Sequence, residues 1–494
     1  MVPLMSSQQR HVILVGIFFA FLLTLFYYQH VTHPALNAHS ATTTSALDLV
    51  LPDQQQHHMS APKASPGLST IYATDPSKRP QPCDKGDISW LASDRQHWDG
   101  WKTKSFFLKP DGNFTLDDVI IEQENGLCIV VLLGPIPAAN KIKVVPHYAP
   151  PDLITMTALG KHYSIPITLH QYPKQSNAYY ANVYFRNSDT YVLKSITEYR
   201  SHFWETPIQH RYQPFSFDSS NKAMVTPHPH DQQPERQRPA CGGAYPTLEG
   251  SWRNDTTKYE FIPDHCDMKY TRQDGLRCLR RKTIHVYGDQ NVRRNLKTLA
   301  SPTWCDMTTQ PDAACICNDD NEDADPHSPW VTDATIPLML GDNTIHYHPW
   351  ISSITNLNSN GWHPSAAAAD IVILGVGNAD IALSRITPRD FAHGLTQLID
   401  HHLSTSSAMI IVRTPQFFGT GQHYLTSWNA GRSRAFANVV RDLVQLYPRR
   451  VKLWDTHQLG IEHTTCRYHG TLYTRRNVID VENQLLMGLF CSGN

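Results

Sequence analysis

Three short blocks late in the chain carry residue types that could do chemistry together. The first is Gly288-Asp289-Gln290-Asn291-Val292-Arg293-Arg294, which closes an apolar run and opens a helical one. A glycine there lets the backbone turn sharply, and the amides that begin the next helix stabilise anionic oxygen. A nucleophile at that turn would have its oxyanion donors at hand. The second block is Gly375-Val376-Gly377-Asn378, whose side-chain amide could add a donor. The third is Trp454-Asp455-Thr456-His457, followed by Cys466-Arg467-Tyr468-His469. A histidine delivered from a late loop is what an acyl-transfer site uses as its general base.

The elements that must position these blocks alternate. Lys282–Gly288, Ala369–Gly377, Met409–Thr414 and Val451–Asp455 have the length and apolar content of buried strands. Between and after them, Asp289–Leu299, Pro388–Leu403, Arg432–Tyr447 and Val478–Leu489 have helical spacing, with Phe391, Leu395, Leu398 and Ile399 on one face. Such alternation predicts an α/β domain over 240–494 with a parallel sheet and helices on both faces, its site at the carboxyl ends of the strands. The earlier chain has another rhythm. Cys128–Gly134, Lys141–Tyr148, Tyr180–Phe185 and Tyr191–Tyr199 are strand-length runs rich in β-branched and aromatic residues, and no amphipathic helix separates them. They predict an all-β sandwich over 83–215, with 216–239 as linker.

The N-terminal stretch predicts a compartment. Val12–Tyr28 is an uncharged apolar run of about 17 residues, near the lower limit for crossing a bilayer. Arg10 precedes it, and the next Lys or Arg is Lys63, so residues 1–11 are expected in the cytosol, 12–28 in the membrane and the rest outside it. Residues 29–82 are rich in His, Ser, Thr, Pro and Gln, the composition of a disordered stem. The expectation is a single-pass type II protein of the Golgi or another secretory-pathway membrane. Asn113-Phe-Thr and Asn254-Asp-Thr are then glycosylation sequons, and the ten cysteines suit disulfides. His57, His58, His228 and His230 fall in solvated, breaker-rich tracts, and the cysteines lack zinc-type spacing, so no metal or cofactor is expected. A formal net charge of -1 gives no reason to expect a nucleic-acid partner.

Taken in order, the three blocks resemble the SGNH/GDSL hydrolase superfamily, and more closely its PC-esterase branch. That branch includes the trichome-birefringence-like O-acetyltransferases and the neurexophilin and PC-esterase domain proteins. Gly250-Ser-Trp252, Tyr259–Cys266 and Cys278-Leu279 resemble the lead-in to its first strand. The resemblance implies an SGNH-like three-layer domain, an immunoglobulin-like identity for the sandwich, and a site drawn from Asp289, Gln290, Arg293, Gly377, Asn378, Asp455 and His469.

The departures redirect the expected function. A serine follows Gly-Asp in the family, and this chain has Gln290, whose amide cannot be deprotonated to attack an ester. The family's Asp-x-x-His has Cys466 at the aspartate position if His469 is its histidine, which leaves Asp455 as a substitute orienter and Cys466 free to pair with Cys491. The expected function is therefore binding of a glycan, glycoprotein or acylated ligand by a degenerate acyl-ester domain without serine catalysis. The alternatives are an active O-acetyltransferase or esterase with an unusual nucleophile, and an adhesion or scaffold protein acting through its sandwich.

Overall fold

The computed structural model describes residues 82–85, 103–108, 112–123, 125–133, 152–172, 178–199, 216–226, 238–242, 249–255, 258–300, 338–350, 353–356, 368–383, 385–418, 429–459, 466–468, 471–473 and 476–492. The first part is built from β1 (Thr103–Leu108), β2 (Phe114–Thr115), β3 (Val119–Glu122), β4 (Gly126–Leu133), β5 (Leu153–Leu159), β6 (Tyr163–Ile167), β7 (His170–Gln171), β8 (Ala178–Tyr184), β9 (Thr190–Tyr199) and β10 (Ser216–Thr226). A hairpin, β11 (Gly250–Asp255) and β12 (Lys258–Pro263), completes it. One sheet runs β2-β1-β4-β8-β7 and the other β12-β11-β6-β5-β9-β10-β3.

The two sheets pack face to face because alternate residues of each are apolar. Ile129, Val131 and Leu133 of β4 meet Ile154, Met156, Tyr191 and Leu193 of the other sheet in one core. The opposite face of β4 is apolar too, and Cys128, Val130 and Leu132 form a second cluster with Phe106 and Leu108. A disulfide from Cys83 to Cys128 lies on that face. Residues 216–226, which composition assigns to a linker, are strand β10, with Ala223 and Val225 buried between exposed Lys222 and Thr226. That period of two is brief and interrupted by polar residues.

The β11–β12 hairpin joins the two parts of the molecule. Its backbone extends the larger sheet, with Trp252 opposite Ser164 and Arg253 opposite Tyr163 of β6. Its Trp252 side chain, fully buried, instead enters the core of the α/β part, against Phe261 at 5.0 Å.

Past the hairpin come α1 (Arg272–Leu279), β13 (Thr283–Gly288), α2 (Gln290–Ala300), β14 (Leu338–Leu340), β15 (Asn343–Pro349), β16 (Ile371–Gly375), α3 (Asn378–Ala382), α4 (Pro388–Thr405), β17 (Met409–Arg413), α5 (Ala430–Gln445), β18 (Val451–Trp454), the short pair β19 (Cys466–Tyr468) and β20 (Thr471–Tyr473), and α6 (Arg476–Cys491). The sheet order is β14-β15-β13-β16-β17-β18, parallel except for β14. Ile284, Val286, Ile371, Ile373 and Ile411 face α1, α2 and α6. Tyr287, Val372, Leu374, Ile410 and Val412 face α4 and α5. Helix α4 starts where a capping box, Thr387 with Asp390, and Pro388 at the first position all favour a start.

The expected membrane anchor is corrected. Residues 12–28 lie outside the described ones, and among the described residues no helix is long and apolar enough to cross a membrane. The longest, α4, has 18 residues but carries Arg389, Asp390, Gln397 and Asp400. Apolar α6 has 16 residues, about 24 Å of helix against a hydrocarbon layer of about 30 Å. The fold class with a spanning helix and the type II membrane placement therefore do not stand. The oxidised cysteines do: Cys83–Cys128, Cys241–Cys266 and Cys278–Cys491 are disulfides of the kind made in an oxidising compartment. Cys491 is thus joined to Cys278 and not to Cys466, because α1 and α6 pack side by side and bring those two sulfurs together.

Candidate functional site

Strands β13 and β16 end together, with Gly288 in register with Gly375. Both glycines lie beneath Val292 in the first turn of α2. A Cβ added at Gly288 would sit 2.7 Å from the Val292 Cβ, and one at Gly375 would sit 2.2 Å from its Cγ2. The missing side chains let α2 start directly over both strand ends. Asp289 occupies the turn, 7% exposed. Its Oδ1 accepts from the amides of Asn291 at 3.0 Å and Val292 at 3.3 Å, capping α2. The carbonyls of Gly288 and Asp289 both accept from the Tyr347 hydroxyl, at 2.9 and 3.1 Å.

Gly377 turns the chain after β16 at φ +114°, a conformation that disfavours any side chain. This aims Asn378 back at Asp289, and its Nδ2 donates to Asp289 Oδ2. Asn378 Oδ1 accepts from the Gln416 amide at 3.0 Å, and Gln416 Oε1 accepts from Asn291 Nδ2 at 2.5 Å. Asp289 is therefore held by neutral donors alone. Burial raises its pKa, and the charge of Arg413 and then the hydrogen bonds from Asn378, Val292 and Asn291 oppose that rise. Arg413 itself pairs with buried Glu482 at 2.8 Å, and Glu482 also accepts from Asn295 Nδ2 at 2.8 Å.

A second cluster stands past β18. Asp455 accepts from Arg441 through both oxygens, at 2.7 and 3.0 Å, and from the Thr414 hydroxyl at 3.2 Å. The amide of His457 donates to Thr414 Oγ1 at 3.1 Å, and His457 Nδ1 lies 3.0 Å from the Pro415 carbonyl. Burial first, then the charges of Arg434 and Arg441, hold the His457 pKa well below the usual imidazole value. Thr414, Pro415 and Gln416 are consecutive, so one turn after β17 serves both clusters.

The expected site residues thus divide. Asp289, Gly377 and Asn378 converge. Gln290 is the first residue of α2, and Arg293 lies in the same turn, its amide donating to the Asp289 carbonyl at 3.0 Å. Asp455 is buried, but its carboxylate is bound by Arg441 and makes no contact with the Asp289 cluster among the described residues. His469 and the Gln290 side chain lie outside the described residues. Asn113 is exposed just ahead of β2, and Asn254 is in β11 opposite Tyr259. Among the described residues no group of His, Cys, Asp and Glu could hold a metal ion.

Sequence reasoning passed over Gln416, Arg441 and a layer of histidines. His285 Nδ1 lies 3.0 Å from His348 Nε2, and Tyr287 packs between His348 at 4.5 Å and His402 at 5.4 Å. Burial, helped by neighbouring histidines, lowers His285 and His402 to about 4. A period-two signal was present, since His285 and Tyr287 alternate with Ile284 and Val286. The carboxyl edge of the sheet thus gathers oriented amides and a guanidinium-bound carboxylate. No protein-family model matches the chain, and no curated protein matches it.

Proposed function

We propose that this chain is a degenerate SGNH-type acyl-ester domain of the PC-esterase kind. In this reading it binds a glycan, or the glycan of a glycoprotein, at the carboxyl edge of its parallel sheet without serine catalysis. The observation that carries the reading is the Asp289–Asn378 hydrogen bond across the ends of adjacent parallel strands, with Gln290 next in the chain. Asp289 and Asn378 have the types and the order that the resemblance requires, and their contact accounts for both side chains being buried. A glutamine amide at the following position can donate and accept hydrogen bonds but cannot form an acyl-enzyme.

The purified chain should resist fluorophosphonate labelling and leave small acetyl esters intact. Gln290→Ser should then create weak esterase activity, which Asn378→Ala should lower by about 10². Stoichiometric labelling of the unmodified chain would overturn the loss of serine catalysis. A folded Gln290→Ser variant with no activity on acetylated glycans would remove the acyl-ester ancestry from the site. In that event the Asp289–Asn378 bond is a cap that ties α2 to α3 and nothing more.

A further inference from the structure

Helix α5 carries three arginines, Arg432, Arg434 and Arg441, and two of them donate to protein acceptors. Arg432 donates to the carbonyls of Ile381, Leu383 and Ile386 at 2.9 to 3.0 Å. Arg441 grips Asp455. Arg434 is different: its Nε is buried without a hydrogen-bond partner, and the side chain makes no ion pair among the described residues. It lies seven residues before Arg441, about 10 Å along the same helix face. Because α5 returns from β17 to β18, its N-terminal end lies at the carboxyl ends of the strands, so Arg434 stands beyond the edge that Arg441 and Asp455 mark.

The sandwich closes this place from the other side. Tyr199 at the end of β9 packs so closely on Gly431 that an added Cβ there would be 2.1 Å from its ring. Gln458 Nε2 donates to Thr168 Oγ1 at 3.2 Å. His457, beside Gln458, is fully buried, and its Nε2 also has no partner. The Pro415 carbonyl can only accept, so His457 Nδ1 carries the proton and Nε2 presents a lone pair. The local groups are two guanidiniums, Arg434 and Arg441, the carboxylates of Asp455 and, facing Arg441, Asp442, and the neutral His457. His170 of β7 also feels the Arg434 charge. Burial and Arg441 pull the Arg434 pKa to about 10, which leaves it charged at neutral pH. Arg434 is half-buried and feels the Asp455 charge, but its buried Nε donor and the buried His457 Nε2 acceptor both lack partners, which is costly unless a ligand completes them.

We infer that Arg434 and His457 form the seat for a ligand group that joins an oxyanion to a neighbouring hydroxyl. The guanidinium takes the carboxylate or phosphate, and the His457 Nε2 lone pair accepts the hydroxyl proton in a hydrogen bond. This goes beyond the acyl-ester reading, because it needs neither Gln290 nor Asn378.

The test is an NMR titration of the whole purified chain with four small probes. Lactate carries carboxylate and hydroxyl, propionate lacks the hydroxyl, propane-1,2-diol lacks the charge, and glycerol 3-phosphate replaces carboxylate with phosphate. Lactate or glycerol 3-phosphate should bind at least about tenfold more tightly than propane-1,2-diol, and the stronger of the two identifies the oxyanion. Lactate should also exceed propionate, and its binding should shift the His457 Nε2 nitrogen resonance. Arg434→Gln should abolish the preference for charge, and Arg434→Lys should restore part of it. The inference is overturned if the charged probes bind no better than the diol, if no probe binds, or if folded Arg434→Gln binds lactate as the unmodified chain does. Propionate equal to lactate with an unmoved His457 resonance would remove the hydroxyl half. Loss of esterase gain in Gln290→Ser alongside Arg434-dependent binding would sink the acyl-ester reading and leave this seat intact. The reverse pair of results would do the opposite.

Discussion

Asp289 and Asp455 each stand one residue past the end of a parallel strand, and both are buried. Asp455 receives a guanidinium through both oxygens, whereas Asp289 receives two backbone amides and one side-chain amide. The first arrangement fixes a charge by pairing it. The second holds a carboxylate with dipoles while burial raises its pKa. One sheet edge can thus hold a carboxylate paired with a charge and one held by dipoles, and the distinguishing feature is the partner.

The largest test removes that partner. Arg441→Ala strands a buried carboxylate and should lower the unfolding free energy by about 3–5 kcal/mol in urea titrations. The double variant Arg441→Met with Asp455→Leu should recover more than half of the loss, since neither member of that ion pair is then left without the other. A loss below about 1 kcal/mol in Arg441→Ala would show that the pair is not what holds Asp455.

Acid sharpens the contrast from another side. His285 and His402 are held at about 4, below the ordinary imidazole range, so the unfolded chain takes up protons first as pH falls. Their stabilisation is complete above about pH 6.5 and lost as pH falls toward about 4. Stability against pH in His402→Leu should show a shallower acid limb, and an unchanged limb would clear His402 of the effect.

Asp289→Ala comes next, at about 2 kcal/mol, because α2 loses its cap and Asn378 Nδ2 loses its acceptor. Asp289→Asn should cost less, about 1 kcal/mol, since its carbonyl oxygen still caps the helix. Its signature is in the pH profile. A carboxyl whose folded pKa is raised stabilises most below its unfolded value and loses that contribution as pH rises through the folded value. Measured in a His402→Leu background, Asp289→Asn should remove this small acid-side gain, and persistence of the gain would assign it to another carboxyl.

What was legible in the sequence follows from what is local. The β13–α2 and β16–α3 turns announce themselves by a glycine after an apolar run, and those runs end at the same level of the sheet, so Asp289 and Asn378 meet. The period of 3.6 in 388–405 and the capping box at Thr387 needed no tertiary information. Gln416 and Arg441 could not be read this way. Each earns its role from a partner on another element, 125 and 14 residues away in Asn291 and Asp455. Glu482 left a partial trace, a charge amid the buried Val478, Ile479, Val481, Leu485 and Leu486 of α6, which signals a buried counter-charge without naming Arg413. The pairing of Cys491 was equally closed to inspection, since it depends on α1 and α6 lying side by side.

The β11–β12 hairpin has a consequence for how this protein can be divided. Strand β6 would be an open edge of the larger sheet if β11 did not pair with it, and open edges recruit strands from other molecules. A fragment ending near residue 226 would expose β6 and is expected to associate through it, while a fragment starting near 238 would carry an orphan hairpin anchored by Trp252 in its own core. Mixed together, the two fragments should recombine by strand addition, each serving as the other's missing edge. A protease cut between them would then leave a noncovalent heterodimer that migrates as two bands but sediments as one particle.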